Sequence, residues 1–312
     1  MSNDHKFSFH GSGSKLFGIV ITNLIFTILT LGFYYPWAKV ALLKYLYKET
    51  ELAGGRFTFH GTGKEVFKGF IKAIVLFLIL YGVIFILSYY GLIILGTIFS
   101  YLAIIALLPF IIHGSLRYRL SRSSWRGIHF GYRGNLKELT KIVYKNVFFT
   151  IITFGIYAAW MKMNIRRYTI GHIRYGDVTF KYNGKGGDFF SIYIVGYLLT
   201  IITLGIYMPW WMKELINYYY EKTELIQGDV HIPLKSTVTG EGIFVVGIIN
   251  ILIIIFTLGI GMPWAKVRFY KYLAKNLYVD PAFNPDIISQ TEEEYKDATG
   301  DDLGDLFEID II

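Results

Sequence analysis

Cysteine is absent from this 312-residue chain. Disulfides, thiolate metal sites and cysteine nucleophiles are therefore excluded at the outset. Charge is scarce as well. Asp, Glu, Lys and Arg make up 17% of the residues and 54% are hydrophobic, where a soluble domain carries about a quarter charged residues and just under half apolar ones. Proline is rare, and four of its seven occurrences (Pro36, Pro109, Pro209, Pro263) fall at matching points of a repeated pattern. Chemical motifs are missing too: no His-x3-His or HExxH spacing, no GxSxG element, and no carboxylate pair outside the C-terminal tail. The expectation is a chain with no catalytic residues, no metal site and no cofactor, which is to say not an enzyme.

Long uncharged sequence takes their place. Such stretches run from Leu16 to Ala38, Ala73 to Leu116, Asn146 to Met161, Phe189 to Met212 and Ile243 to Ala265. A helix needs roughly 20 apolar residues to cross a hydrocarbon core of about 30 Å, and all but the third reach that length. The chain reads as an integral membrane protein. Its first fifteen residues are polar and lack an apolar core, so no cleavable signal peptide is expected. The net charge of +8 conceals a split: residues 280–312 carry eleven acids and one lysine, leaving the body at +18. A basic membrane body points to anionic lipid headgroups as the partner, and not to nucleic acid, because the lysines flank apolar segments.

Self-similarity organises the rest. Thr30-Leu-Gly-Phe-Tyr-Tyr-Pro-Trp37 returns as Thr153-Phe-Gly-Ile-Tyr-Ala-Ala-Trp160, as Thr203-Leu-Gly-Ile-Tyr-Met-Pro-Trp210 and as Thr257-Leu-Gly-Ile-Gly-Met-Pro-Trp264. Phe7-Ser-Phe-His-Gly-Ser-Gly13 returns as Phe57-Thr-Phe-His-Gly-Thr-Gly63, then as weaker copies beginning at Ile128, Val178 and Val230. Five units follow, at residues 7–56, 57–127, 128–177, 178–229 and 230–279, and together they form a membrane domain over 1–279 that precedes an acidic tail over 280–312. The second unit is longer, holds two apolar stretches and lacks the tryptophan element. Alternating apolar residues predict a short strand, the motif glycine ends a membrane helix, and proline opens a second, basic helix. The expected fold is an all-α polytopic membrane protein of tandem strand–membrane helix–break–amphipathic helix repeats, with short strands gathered on the cytoplasmic side.

These paired phenylalanine–glycine strands and threonine–glycine–proline–tryptophan segments resemble the YjgN-like bacterial inner-membrane proteins, a family with a domain of unknown function. The resemblance covers roughly residues 7–279, with Ala159 in place of a proline and Gly261 in place of a tyrosine. It implies an inner-membrane location and offers no catalytic residue to carry over.

Two topologies compete. Single crossings by most units give six spans and divide the basic residues almost evenly between the two sides. Units that dip in and return keep all 31 lysines and arginines with the strands, and the positive-inside rule then places both termini in the cytoplasm. The second arrangement is preferred.

Three sets of candidate residues emerge. A polar stripe recurs inside the helices: Asn23, Thr27 and Thr30; Asn146, Thr150 and Thr153; Thr200 and Thr203; Asn250 and Thr257. It reads either as packing between helices or as the lining of a solute path. The helix-break and interface motif comprises Gly32, Pro36, Trp37, Gly155, Trp160, Gly205, Pro209, Trp210, Gly259, Pro263 and Trp264. Gly11, Gly13 and Lys15, with Gly61, Gly63 and Lys64, place a glycine turn at a helix start, either a tight turn or a seat for an anionic headgroup. His10, His60, His129 and His231 read as polar strand ends. The functional expectation is a non-catalytic envelope or lipid-associated scaffold, with a small-solute transporter or channel as the alternative. For the tail, partial order with one helix over 289–298 is expected.

Overall fold

The computed structural model describes residues 5–291. Five times in succession the chain runs strand, helix, helix, strand. The first unit holds β1 (His5–Phe9), α1 (Gly13–Leu29), α2 (Tyr35–Glu49) and β2 (Thr50–Leu52); the second holds β3 (Gly55–Phe59), α3 (Gly63–Tyr89), α4 (Ile93–Ser121) and β4 (Ser123–Trp125). The third is β5 (Ile128–Tyr132), α5 (Leu136–Ile152), α6 (Ala158–Gly171) and β6 (Ile173–Tyr175). The fourth is β7 (Val178–Tyr182), α7 (Gly186–Ile202), α8 (Met208–Glu221) and β8 (Thr223–Gln227), and the fifth is β9 (Val230–Ser236), α9 (Gly240–Phe256), α10 (Met262–Lys275) and β10 (Leu277–Val279).

Two findings overturn the expectation of an all-α polytopic protein. First, the strands close into a ten-stranded antiparallel barrel, each paired with its sequence neighbours and β10 with β1. Five of those strands, the ones that follow the second helix of each unit, have no counterpart in the expected repeat. A hairpin strand left unpaired would expose its backbone donors and acceptors, and closure removes that edge. Second, only α3 and α4 among the described helices are long and apolar enough to cross a membrane; α1, α7 and α9 are apolar but stop at 17 residues.

The barrel interior is aromatic. Phe7, Phe57, Phe130, Phe180 and Leu234 pack on a buried cluster of Leu52, Trp125, Tyr175, Val178, Leu225, Ile232 and Val279, with Phe57 stacked between Phe7 at 6.5 Å and Phe130 at 6.4 Å. Beyond the barrel, each helix packs on its neighbours in sequence and α10 returns to α1, so the helices form a ring on one end of the barrel.

The other end is covered by the start of the acidic tail. Phe283 is buried against Trp125 at 6.0 Å. Gln227 exchanges hydrogen bonds with the Asn284 backbone, and Thr291 donates to the Gly176 carbonyl. Lys235 pairs with Asp280 and, by that hydrogen bond, holds its carboxyl below the usual carboxylate range. Residues 280–291 therefore cap the barrel. They are not helical, and the rest of the expected 289–298 helix lies outside the described residues.

Candidate functional site

The helix pairs are hairpins, and their tips hold the motif residues. Thr30 donates to the Phe26 carbonyl at 2.7 Å and accepts the Tyr34 N–H at 2.9 Å, stitching the end of α1 to the start of α2. Thr153, Thr203 and Thr257 repeat both bonds. The next two residues turn the chain in the left-handed region: Leu31–Gly32, Phe154–Gly155, Leu204–Gly205 and Leu258–Gly259. Glycine adopts that conformation freely, but for a bulky L residue it costs on the order of 1–2 kcal/mol. Each tip nevertheless places a large apolar residue there, almost fully exposed: Leu31 90%, Phe154 98%, Leu204 94% and Leu258 93%.

The rest of the polar stripe serves the same hairpins. Thr27, Thr150 and Thr200 donate back to the carbonyls of Asn23, Asn146 and Gly196. Buried Asn146 donates to Ile142 and accepts from Asn164 of α6 at 2.8 Å, and Asn250 donates to the Ala265 carbonyl of α10 at 3.0 Å. None of the ten stripe residues lines the cavity of about 860 Å³ that lies between α4, α5, α6 and α7.

Tryptophan and glycine join one unit to the next. Trp37 covers Gly63, Trp160 covers Gly186, Trp210 covers Gly240, and Trp264 closes the ring on Gly13, each leaving no room for a Cβ. The second unit has Phe110 in the tryptophan slot, and the receiving position of the third unit is Leu136. The two positions change together. Pro36, Pro209 and Pro263 open α2, α8 and α10 within their first turn. Gly11 and Gly61 lie against the rings of Phe9 and Phe59, and Ser12 and Thr62 cap the helix starts beside Lys15 and Lys64.

A further set escapes a reading based on the tryptophan motif. The Tyr45 hydroxyl accepts the Ser12 N–H at 2.8 Å and donates to the Ser12 carbonyl at 2.9 Å. Tyr168 does the same to Asn135, Tyr218 to Lys185 and Tyr272 to Thr239. These tyrosines pin the strand-to-helix corner of their own unit, and burial pushes the Tyr45, Tyr168 and Tyr218 hydroxyls up, keeping them protonated. Their signal was present: each stands eight residues after Trp37, Trp160, Trp210 or Trp264.

The histidines engage barrel neighbours: His10 pairs with Glu51 at 3.0 Å, His60 with Ser124 at 2.7 Å, and His231 with Glu224 at 3.0 Å. The structural register also corrects the sequence alignment. His10, His60, Arg133, Asn183 and Thr237 make the same backbone bond to the end of their own hairpin, so the third and fourth units slide by two residues, the fifth by four, and His129 aligns with Lys6 of the first unit. Among the described residues, no group of three or more His, Asp or Glu could hold a metal.

A five-unit chain of this form matches the family described as bacterial protein of unknown function (DUF898), in three overlapping segments at residues 4–183, 177–231 and 228–306. The chain belongs to this family. It is similar to proteins named inner membrane protein YjgN: 33% identical over 133 residues in Escherichia coli O157:H7 and 33% over 138 residues in Salmonella typhimurium. Those matches cover 43% and 44% of this chain and 32% and 33% of the relatives, so the alignment spans about a third of their length. No solved structure matches the chain.

Proposed function

We propose that this chain is a non-catalytic scaffold of the bacterial inner membrane, with its barrel and both termini on the cytoplasmic face and anionic lipids as its partners. The α3–α4 hairpin crosses the bilayer, and the other four hairpins end inside it. The observation that carries this reading is the contrast between tips. Helices of 27 and 29 residues reach about 40 Å, enough to cross, and their tip carries Tyr89 and Tyr90, exposed at 79% and 72%. Tyrosine favours a membrane–water interface. The four short hairpins reach about 25 Å and expose leucine or phenylalanine at their tips instead.

Charge placement supports the same depth. Lys39, Lys162 and Lys266 each stand eight residues after a tip residue, about 12 Å along the helix, close to half of a hydrocarbon core of about 30 Å. The threonine hydroxyls and the side-chain amides of Asn146 and Asn250 donate to hairpin backbone, which favours packing over a solute path. The relatives' printed name, inner membrane protein, fits the location.

The test is alkaline carbonate extraction of membranes, followed by proteolysis of the barrel turns at Gly54, Gly127 and Gly228. Retention in the membrane, with cleavage in inverted vesicles and protection in spheroplasts, is expected. Release by carbonate, or cleavage in spheroplasts, would reject the placement.

A further inference from the structure

Two of the third unit's departures from its sisters face one cavity. Ala158 stands where the other short hairpins have Tyr35, Met208 and Met262. Arg166 stands where the other units have Leu43, Leu116, Ile216 and Tyr270. Ala158 and Arg166 both line the cavity of about 860 Å³, together with Lys162 one helical turn before the arginine. The small side chain makes space, and the arginine adds a charge where the repeat has an apolar residue or a tyrosine.

The cavity has two chemically distinct ends. Val147 of α5, Ile112 of α4, and Tyr193 and Tyr197 of α7 form apolar and aromatic walls that reach the tip at Phe154. Toward the barrel lie the two cations, both braced by aromatic faces. The Arg166 guanidinium sits 4.4 Å from the Tyr219 ring and 5.2 Å from Tyr182, and the Lys162 ammonium sits 5.2 Å from Tyr219 and 5.4 Å from Phe189. Such bracing fixes side chains that otherwise lose rotamer freedom on binding. Lys162 and Arg166 follow the tip residue by eight and twelve positions, or about 12 and 18 Å, the depth at which a half-bilayer of about 15 Å of hydrocarbon gives way to headgroups.

We infer that this cavity holds one anionic phospholipid, its phosphate between Lys162 and Arg166 and an acyl chain along the walls toward Phe154. The inference rests on the membrane placement proposed above. Arginine suits a phosphate by its planar fork of donors, and an acyl chain fills the apolar part of a cavity of this size.

The experiment uses the full chain reconstituted in mixed vesicles of phosphatidylcholine and phosphatidylglycerol, and in vesicles of phosphatidylcholine alone. Flotation is measured first, followed by native mass spectrometry after mild detergent extraction. Wild-type protein is expected to float and to retain one phosphatidylglycerol. Arg166→Leu and Ala158→Met restore residues found in sister units, so both should fold. Each is expected to lower phosphatidylglycerol occupancy about tenfold or more, by removing charge-assisted bonds or filling the space, with unchanged melting temperature and flotation. Lys162→Gln, at an exposed position, provides a second reading should either variant misfold. Flotation without retained lipid, equal retention of phosphatidylcholine, retention of a fatty acid instead, or occupancy indifferent to all three substitutions would overturn the site while leaving the membrane placement intact. Failure to float would reject both.

Discussion

The α3–α4 hairpin and its four shorter sisters share a ring, a barrel and a repeat, yet their tips differ in both length and chemistry. The long tip turns at Tyr90 and Gly91 without a leucine or phenylalanine in the left-handed region; the short tips place Leu31, Phe154, Leu204 and Leu258 there. In water, an exposed apolar side chain in a costly backbone conformation has nothing to offset it. In hydrocarbon the same side chain is solvated by lipid, and the threonine two residues before each motif glycine supplies the backbone bonds that the bilayer cannot. Under the proposed membrane placement, the difference teaches that the tip residue records where the turn lies.

Charge at the tips breaks this comparison most forcefully. Leu204→Arg or Leu258→Arg should cost about 2.5–3.5 kcal/mol, the penalty of arginine near a bilayer centre, and Tyr90→Arg at an interface well under 1 kcal/mol. Membrane-inserted yield and thermal unfolding in lipid would check this; equal effects at the two kinds of tip would erase the distinction.

The unit-to-unit lock separates the two regions in another way. The tryptophan–glycine contact is absent from the second unit, where the slot holds Phe110 and the receiving position is Leu136. Gly13→Leu should therefore destabilise the ring by about 1–3 kcal/mol, the usual cost of overpacking. Adding Trp264→Phe should recover most of it. A double variant no more stable than the single one would refute the coupling.

Much of this was legible in the sequence, and the misses have physical causes. The hairpin tips were readable because Thr, Gly, Pro and Trp each perform one local task at a fixed spacing. The second strand of each unit was not. Ser123–Trp125 and Ile173–Tyr175 are three residues long, too short to show alternation, and they become strands only because a neighbouring unit pairs with them. The two-residue slip had a similar origin: Ile128 and Val178 look like the opening phenylalanines, but Phe130 and Phe180 are the ones that enter the barrel. The capping role of Phe283 was invisible, since a lone aromatic between two prolines carries no period. Uncharged length also overstated the spans, because a hairpin that turns at its middle has twice the apolar sequence and half the reach.

Smaller effects sharpen the account within the short hairpins. Tyr218→Phe removes both hydroxyl bonds at the Lys185 corner and should cost about 1–2 kcal/mol. Because burial raises the folded-state pKa of Tyr218, its contribution is fully present below about pH 10, the unfolded tyrosine value, and is lost as pH rises through the higher folded value. Wild type should therefore show a stability loss above pH 10 that the phenylalanine variant shows less of; identical alkaline profiles would argue against the clamp. Asn146→Leu, which loses a bond between α5 and α6, should cost only about 0.6–1 kcal/mol. Solute flux in liposomes should not change, and a change with folding intact would revive the solute path.

The absence of native cysteine permits the most direct measurement: single-cysteine accessibility to a membrane-impermeant maleimide at Tyr90, Leu31, Phe154, Leu204 and Leu258, read in intact spheroplasts and in inverted vesicles. The account predicts labelling of Tyr90→Cys from outside only and protection of the four short tips from both sides. Outside labelling of Leu31→Cys or Leu258→Cys would show that the short hairpins cross the bilayer, and would contradict the account.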